Sequence, residues 1–102
     1  MVIWRTHVEN VSDLGEEEAR HLIDVERRVE RALLRATGAE RAILMKLGIV
    51  TPHLHVHIYP VASKLTRAEV QAIIDAKTRE EVEADFAERV RAFISESVRN
   101  AP

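Results

Sequence analysis

Three histidines alternate with bulky apolar residues in the run Thr51-Pro52-His53-Leu54-His55-Val56-His57-Ile58-Tyr59-Pro60. In an extended strand, residues i, i+2 and i+4 share one face. His53, His55 and His57 would then line up at roughly 6.6–6.8 Å per step. Leu54, Val56 and Ile58 would point the other way, into a core. Imidazoles that titrate near neutral pH give a surface strand no packing advantage, so the pattern points to chemistry. Three chemistries fit such a row. A neutral imidazole can attack phosphorus and form a covalent intermediate that water cleaves, with neighbouring rings supplying orientation and protons. Two or three imidazoles with a carboxylate or water can hold zinc or another divalent metal. The row can also bind a ligand without reacting. The row alone leaves all three open.

The elements that would carry this strand can be read along the chain. Residues 2–5 read as the end of a strand and 6–14 as a connection. A helix is expected over 16–36, with Leu22, Val25, Val29, Ala32, Leu33 and Ala36 as its apolar stripe. Gly15 serves as its N-cap, Glu16 to Glu18 suit its positive end, and Gly38 stands where a C-terminal cap belongs. Residues 41–47 read as a strand, 48–52 as a short turn and 53–59 as the histidine strand, closed by Pro60. Capping boxes at Thr66/Glu69 and Thr78/Glu81 open helices expected over 67–76 and 79–98. The second carries the stripe Val82, Phe86, Val90, Phe93, Ile94 and Val98. A turn of 48–52 is too short for a parallel crossover, so the two strands it joins form an antiparallel hairpin. The expected fold is α+β: a small antiparallel sheet with helices packed on one face.

Composition bounds the function. With 102 residues the chain makes one domain. The absence of Cys removes disulfides, thiolate zinc sites and a cysteine nucleophile. A net charge of -2 offers no basic surplus for nucleic acid or an anionic membrane. No apolar stretch of signal-peptide or membrane-helix type stands out, and the expected location is cytoplasmic. Of the remaining side chains, Trp4 is able to stack on a base, although such an aromatic is more often a core residue. Lys46 can border the histidine face. His21, beside Arg20 at the acidic start of the first helix, reads as a surface residue.

The run His-Leu-His-Val-His-Ile-Tyr resembles the motif of the histidine triad family: three His alternating with hydrophobic residues, closed by two more. Val2 to Glu9 resembles the family's strand and following turn, and Leu14-Gly15-Glu16-Glu17-Glu18-Ala19 the start of its long helix. The resemblance covers residues 2–61, so a family domain over 1–61 with a helical extension over 62–102 is expected. The family's earlier strands have no counterpart here, which makes the match an N-terminally short one. The resemblance implies a nucleotide hydrolase or transferase without an obligatory metal or other cofactor. Its substrates would be dinucleoside polyphosphates or nucleoside phosphoramidates.

Carried over by position, His55 would be the nucleophile on the α-phosphate. His57 would contact phosphate oxygens and assist the leaving group. His53 would hold the other rings by hydrogen bonding, and His7 would stand beside the site. A His at 57, where the transferase-like branch has Gln, favours the hydrolase-like branch. The family's loop before the triad carries polar phosphate-binding groups. Here it shrinks to 48–52, leaving Thr51, with Lys46 before it and Trp4 for the base, as substrate-binding candidates. That shortening motivates the alternative of a degenerate nucleotide- or metal-binding protein. A sheet this small exposes unpaired edges, and a homodimer is expected from it and from the family's habit.

Overall fold

In the computed structural model, which describes residues 1–76 and 85–99, the alternation of the histidine strand decides which face is dry. Leu54, Val56 and Ile58 are 1%, 6% and 7% exposed, whereas His53, His55 and His57 are half-buried. The elements run β1 (Val2–Ile3), α1 (Glu16–Thr37), β2 (Arg41–Met45), β3 (His55–Val61), α2 (Arg67–Ala76) and α3 (Phe86–Arg99). A single 3-10 turn, Val11–Asp13, interrupts the connection before α1. The sheet is antiparallel in the order β1-β3-β2, so the histidine strand lies in the middle. Its register sets Met45 opposite His57, Ile43 opposite Tyr59, and Ile3 opposite His55. This is the expected α+β fold.

α1 forms for the reasons read from its sequence. The Gly15 N–H donates to the Glu18 carboxylate at 2.9 Å, meeting one of the unpaired donors of the first turn. The helix ends where Gly38 turns left-handed, with φ +73°, and its N–H donates to the Leu34 carbonyl at 2.8 Å. Leu22 and Ala32 are buried, and the helix packs on β3 and β2. Glu26 is buried in the same stripe, which the apolar pattern did not reveal. α3 packs along α1, and the Arg35 guanidinium sits 4.2 Å over the Phe93 ring.

The Thr66/Glu69 capping box is reciprocal: the Thr66 N–H donates to the Glu69 carboxylate at 3.1 Å, and the Glu69 N–H to the Thr66 hydroxyl at 3.2 Å. It opens α2 at residue 67, as expected. The Thr78/Glu81 box, Val82 and the first turns of the expected 79–98 helix lie outside the described residues, as does the side chain of Val98. α3 is described from Phe86 onward.

Strand boundaries differ from expectation. β2 stops at Met45, not Leu47, and β3 runs 55–61 instead of 53–59, carrying Pro60 inside it opposite Ala42. A residue without an N–H is tolerated there because β1 pairs only with His55 and Val56, so one side of β3 is already open at Pro60. The connection between β2 and β3 therefore spans 46–54, with Gly48 at φ +66°.

Candidate active site

His53 precedes the ladder, and the segment from Trp4 to Val8 fixes the entry to β3. The Trp4 N–H donates to the Leu54 carbonyl at 3.0 Å, and the Leu54 N–H donates to the Val8 carbonyl at 2.7 Å. This wrap pins Leu54, the most deeply buried large side chain, and sets the turn at His53. The His53 ring Nε2 lies 2.6 Å from the Trp4 carbonyl oxygen. A carbonyl only accepts, so Nε2 carries the proton. The His53 ring is thereby committed to the backbone of the neighbouring segment. Its ring neighbour is His7, with centroids 5.5 Å apart.

His55 is held by the main chain of His53. Its Nδ1 lies 2.6 Å from the main-chain carbonyl of His53. The orienting group is the His53 backbone and not its ring. By the same argument Nδ1 carries the proton, which leaves Nε2 of the neutral ring with its lone pair free. The His57 ring stands edge-on to His55 at 5.3 Å and 81°. On its other side it stacks on Tyr59 at 5.8 Å and 21°. Burial, then the charge on His55, then the terminal amino group at Met1 push the His57 imidazole below its ordinary pKa of 6.5. At neutral pH His57 is a neutral ring that can donate one N–H.

His55 and His57 open into a cleft of about 680 Å³, the size of a small-molecule site. The 46–54 connection forms one wall through Leu47, Ile49, Val50 and Thr51; Ile49 and Val50 are 81% and 93% exposed. Met45 and Tyr59 lie on the sheet floor. α2 supplies the opposite wall with Ile73, Ile74 and Asp75. The Asp75 carboxylate accepts from the Gln71 amide at 2.9 Å.

The candidate residues thus divide. Thr51, His55 and His57 meet in the cleft. His7 pairs with His53 outside its described lining. Lys46 is turned to Asn10, its ammonium 3.4 Å from the amide oxygen, and does not reach the described lining. Trp4 contributes its carbonyl to His53 and not its ring to the cleft; its indole N–H donates to Thr6, and the ring meets His21 edge-on at 6.3 Å. Tyr59 and the α2 wall are the residues that sequence reasoning missed. The Thr66 box announced a helix, but nothing local says where a short helix docks. Among the described residues no group of three or more His, Cys, Asp or Glu could hold a metal ion.

A family model described as the HIT domain matches residues 1–64. The chain is similar to a solved histidine triad protein from Bradyrhizobium japonicum: 27% identity, TM-score 0.57, over 96% of this chain and 70% of that one. A histidine triad protein from Sinorhizobium meliloti 1021 shares the fold at TM-score 0.62 and 23% identity, over 95% of this chain and 69% of that one. Both likenesses extend beyond residue 64 into the C-terminal helices. No curated protein matches the chain.

Proposed function

This chain belongs to the histidine triad family, and from that premise we propose that it is a nucleotide-phosphate hydrolase or transferase whose nucleophile is Nε2 of His55. The observation that carries the reading is the 2.6 Å hydrogen bond from Nδ1 of His55 to the His53 carbonyl. It assigns the proton to Nδ1 and so leaves Nε2 unprotonated on a ring that lines the cleft. The Nε2 lone pair attacks the α-phosphorus, and an N–P bond forms. The bond from phosphorus to the leaving group breaks, and its electron pair leaves with that group, which takes up a proton. Water then attacks the same phosphorus and gives up a proton. The N–P bond breaks and returns its electron pair to Nε2. His57, 5.3 Å from His55, is placed to donate its N–H to a phosphoryl oxygen.

The substrates of this reading are nucleoside phosphoramidates and dinucleoside polyphosphates. The protein would act in the cytoplasm as a homodimer on its small-molecule substrate. A hydrolysis screen with both substrate classes in the presence of a chelator is the direct test, and turnover is expected to survive the chelator. His55→Asn is expected to lower kcat by about 10³-fold or more, with an unchanged circular dichroism spectrum, because the ring faces a cleft. His57→Gln should cost less, about 10- to 100-fold, since it removes a hydrogen-bonding group and not the attacking atom. Wild-type turnover by a folded His55→Asn protein would remove His55 from the role.

A second reading has its own observation. Met45, Leu47, Ile49, Val50, Ile73 and Ile74 make the cleft wall largely apolar. Such a wall suits binding better than it suits neutralising a phosphate in flight. Stoichiometric nucleotide binding by calorimetry, with no turnover of either substrate class, would favour this non-catalytic protein.

A further inference from the structure

His57 has two ring neighbours, and only one of them belongs to the histidine row. We propose that Tyr59 is a positioning residue: its ring holds the His57 imidazole edge-on to His55, presenting it to the group that His55 attacks. The kinetic part of this inference rests on the phosphoryl-transfer reading above.

Tyr59 lies two residues beyond His57 on β3, on the same face of the strand. Its ring stacks on His57 at 5.8 Å and 21°, whereas His55 meets His57 at 5.3 Å and 81°. The imidazole is therefore held between a flat face and an edge. Of the two χ angles of a histidine, the second is broad and poorly held by the backbone alone. A flat neighbour supplies the missing constraint, because offset stacking favours one ring plane over the others. A Leu or Ala at 59 would leave His57 free to turn about that bond. The Tyr59 backbone is held in the ladder opposite Ile43, which places its ring beside His57. The residue opposite His57 on β2 is Met45, whose thioether is only a weak acceptor.

On the proposed role, the stacked Tyr59 ring also contributes to the burial of His57. Burial is the largest cause of its lowered pKa, ahead of the charge on His55 and the Met1 amino group. The ionisable groups around it are His55 and Tyr59 on β3, the amino group before β1, and Asp75 on α2 across the cleft. Taking away the Tyr59 ring opens the imidazole to solvent and should return its titration toward 6.5.

The test uses Tyr59→Ala and Tyr59→Phe in the full chain. In the Ala protein, kcat should fall about 10- to 100-fold, the loss typical of a misplaced group. KM should stay within about threefold, as expected when transition-state contacts are lost. By NMR, the His57 titration should move up and the ring-to-ring NOE between His55 and His57 should weaken. The Phe protein keeps the ring face and should restore all of these. The inference is overturned if the Ala protein keeps the wild-type kcat, titration and NOE, or if Phe fails to restore them. Should the Ala protein not fold, Tyr59→Leu replaces it, and an intact NOE with wild-type kcat in that variant overturns the inference equally. If the wild-type chain turns over neither substrate class, the phosphoryl-transfer reading fails, and the titration and NOE still decide the role of Tyr59.

Discussion

Two nitrogens of the site are assigned by hydrogen bonds to carbonyls, and the assignment follows from main-chain geometry that no side-chain pattern displays. His55 donates from Nδ1 to His53, and His53 donates from Nε2 to Trp4. Among the described residues His57 has no such anchor, and its surroundings favour the uncharged ring. This has a consequence for pH. With a pKa below 6.5 in the fold, His57 binds fewer protons when folded than when unfolded in the window just below 6.5. Stability therefore rises with pH through that window and is lost as pH falls through it. In thermal unfolding followed downward from neutral pH, wild type should lose more Tm than His57→Gln does. An equal loss in the variant would show that His57 does not carry it.

At the scale of elements, the histidine strand was legible because period-two alternation serves both of its faces at once. The even positions Leu54, Val56 and Ile58 went to the core, and the odd positions kept the imidazoles. The departure of His53 from the row was not legible, because it depends on main-chain bonds from Trp4 and Val8, some fifty residues away in sequence. The docking of α2 was equally hidden. Val70, Ile73 and Ile74 give it an apolar face, but a face does not name its partner.

Glu26 shows the limit of stripe reading within α1. Four residues after Leu22, it falls on the buried side of the helix and is 8% exposed. Burial, and then the charge of Glu30 one turn on, raise its pKa above 4.5. Folding thus favours the protonated acid, and the stabilising state is lost as pH rises through the folded pKa. At neutral pH the folded chain carries a poorly solvated carboxylate. Glu26→Gln removes that charge at nearly constant volume and should stabilise the domain by about 1 kcal/mol at pH 7. That corresponds to about 4–8 °C in Tm for a domain of this size. The gain should vanish near pH 4, where wild-type Glu26 is protonated. A variant no more stable than wild type at pH 7 would show that the carboxylate is adequately solvated. The Glu26 contribution runs opposite in sign to that of His57, so the two are separable only by the paired variants.

At the scale of the whole molecule, the sheet leaves hydrogen-bonding capacity unused among the described residues. β3 is paired on both sides only at His55 and Val56, and β2 is an edge strand of five residues. Leu44 on β2 is 43% exposed and Ile3 on β1 is 59% exposed. Edge strands with exposed apolar residues are templates for pairing with another chain. α3 is engaged within the chain: it packs along α1, and Phe93 lies under Arg35. The sheet edge is therefore the stronger candidate for contact. A two-fold arrangement joining β2 to β2 would be self-complementary and antiparallel, satisfying the free N–H and C=O groups of both copies. A homodimer through this edge is the expected state. Light scattering coupled to gel filtration at micromolar concentration should give a mass near twice 11.6 kDa. Ile43→Pro within β2 removes an N–H from the ladder and would also disturb the pairing with β3, so it is a poor probe. Leu44→Lys is the better one, because it places like charges across the proposed edge while leaving the backbone intact. It should shift the protein to a monomer without loss of helicity. A wild-type mass near 11.6 kDa, independent of concentration, would refute the dimer and leave Leu44 and Ile3 as solvent-facing residues of a monomer.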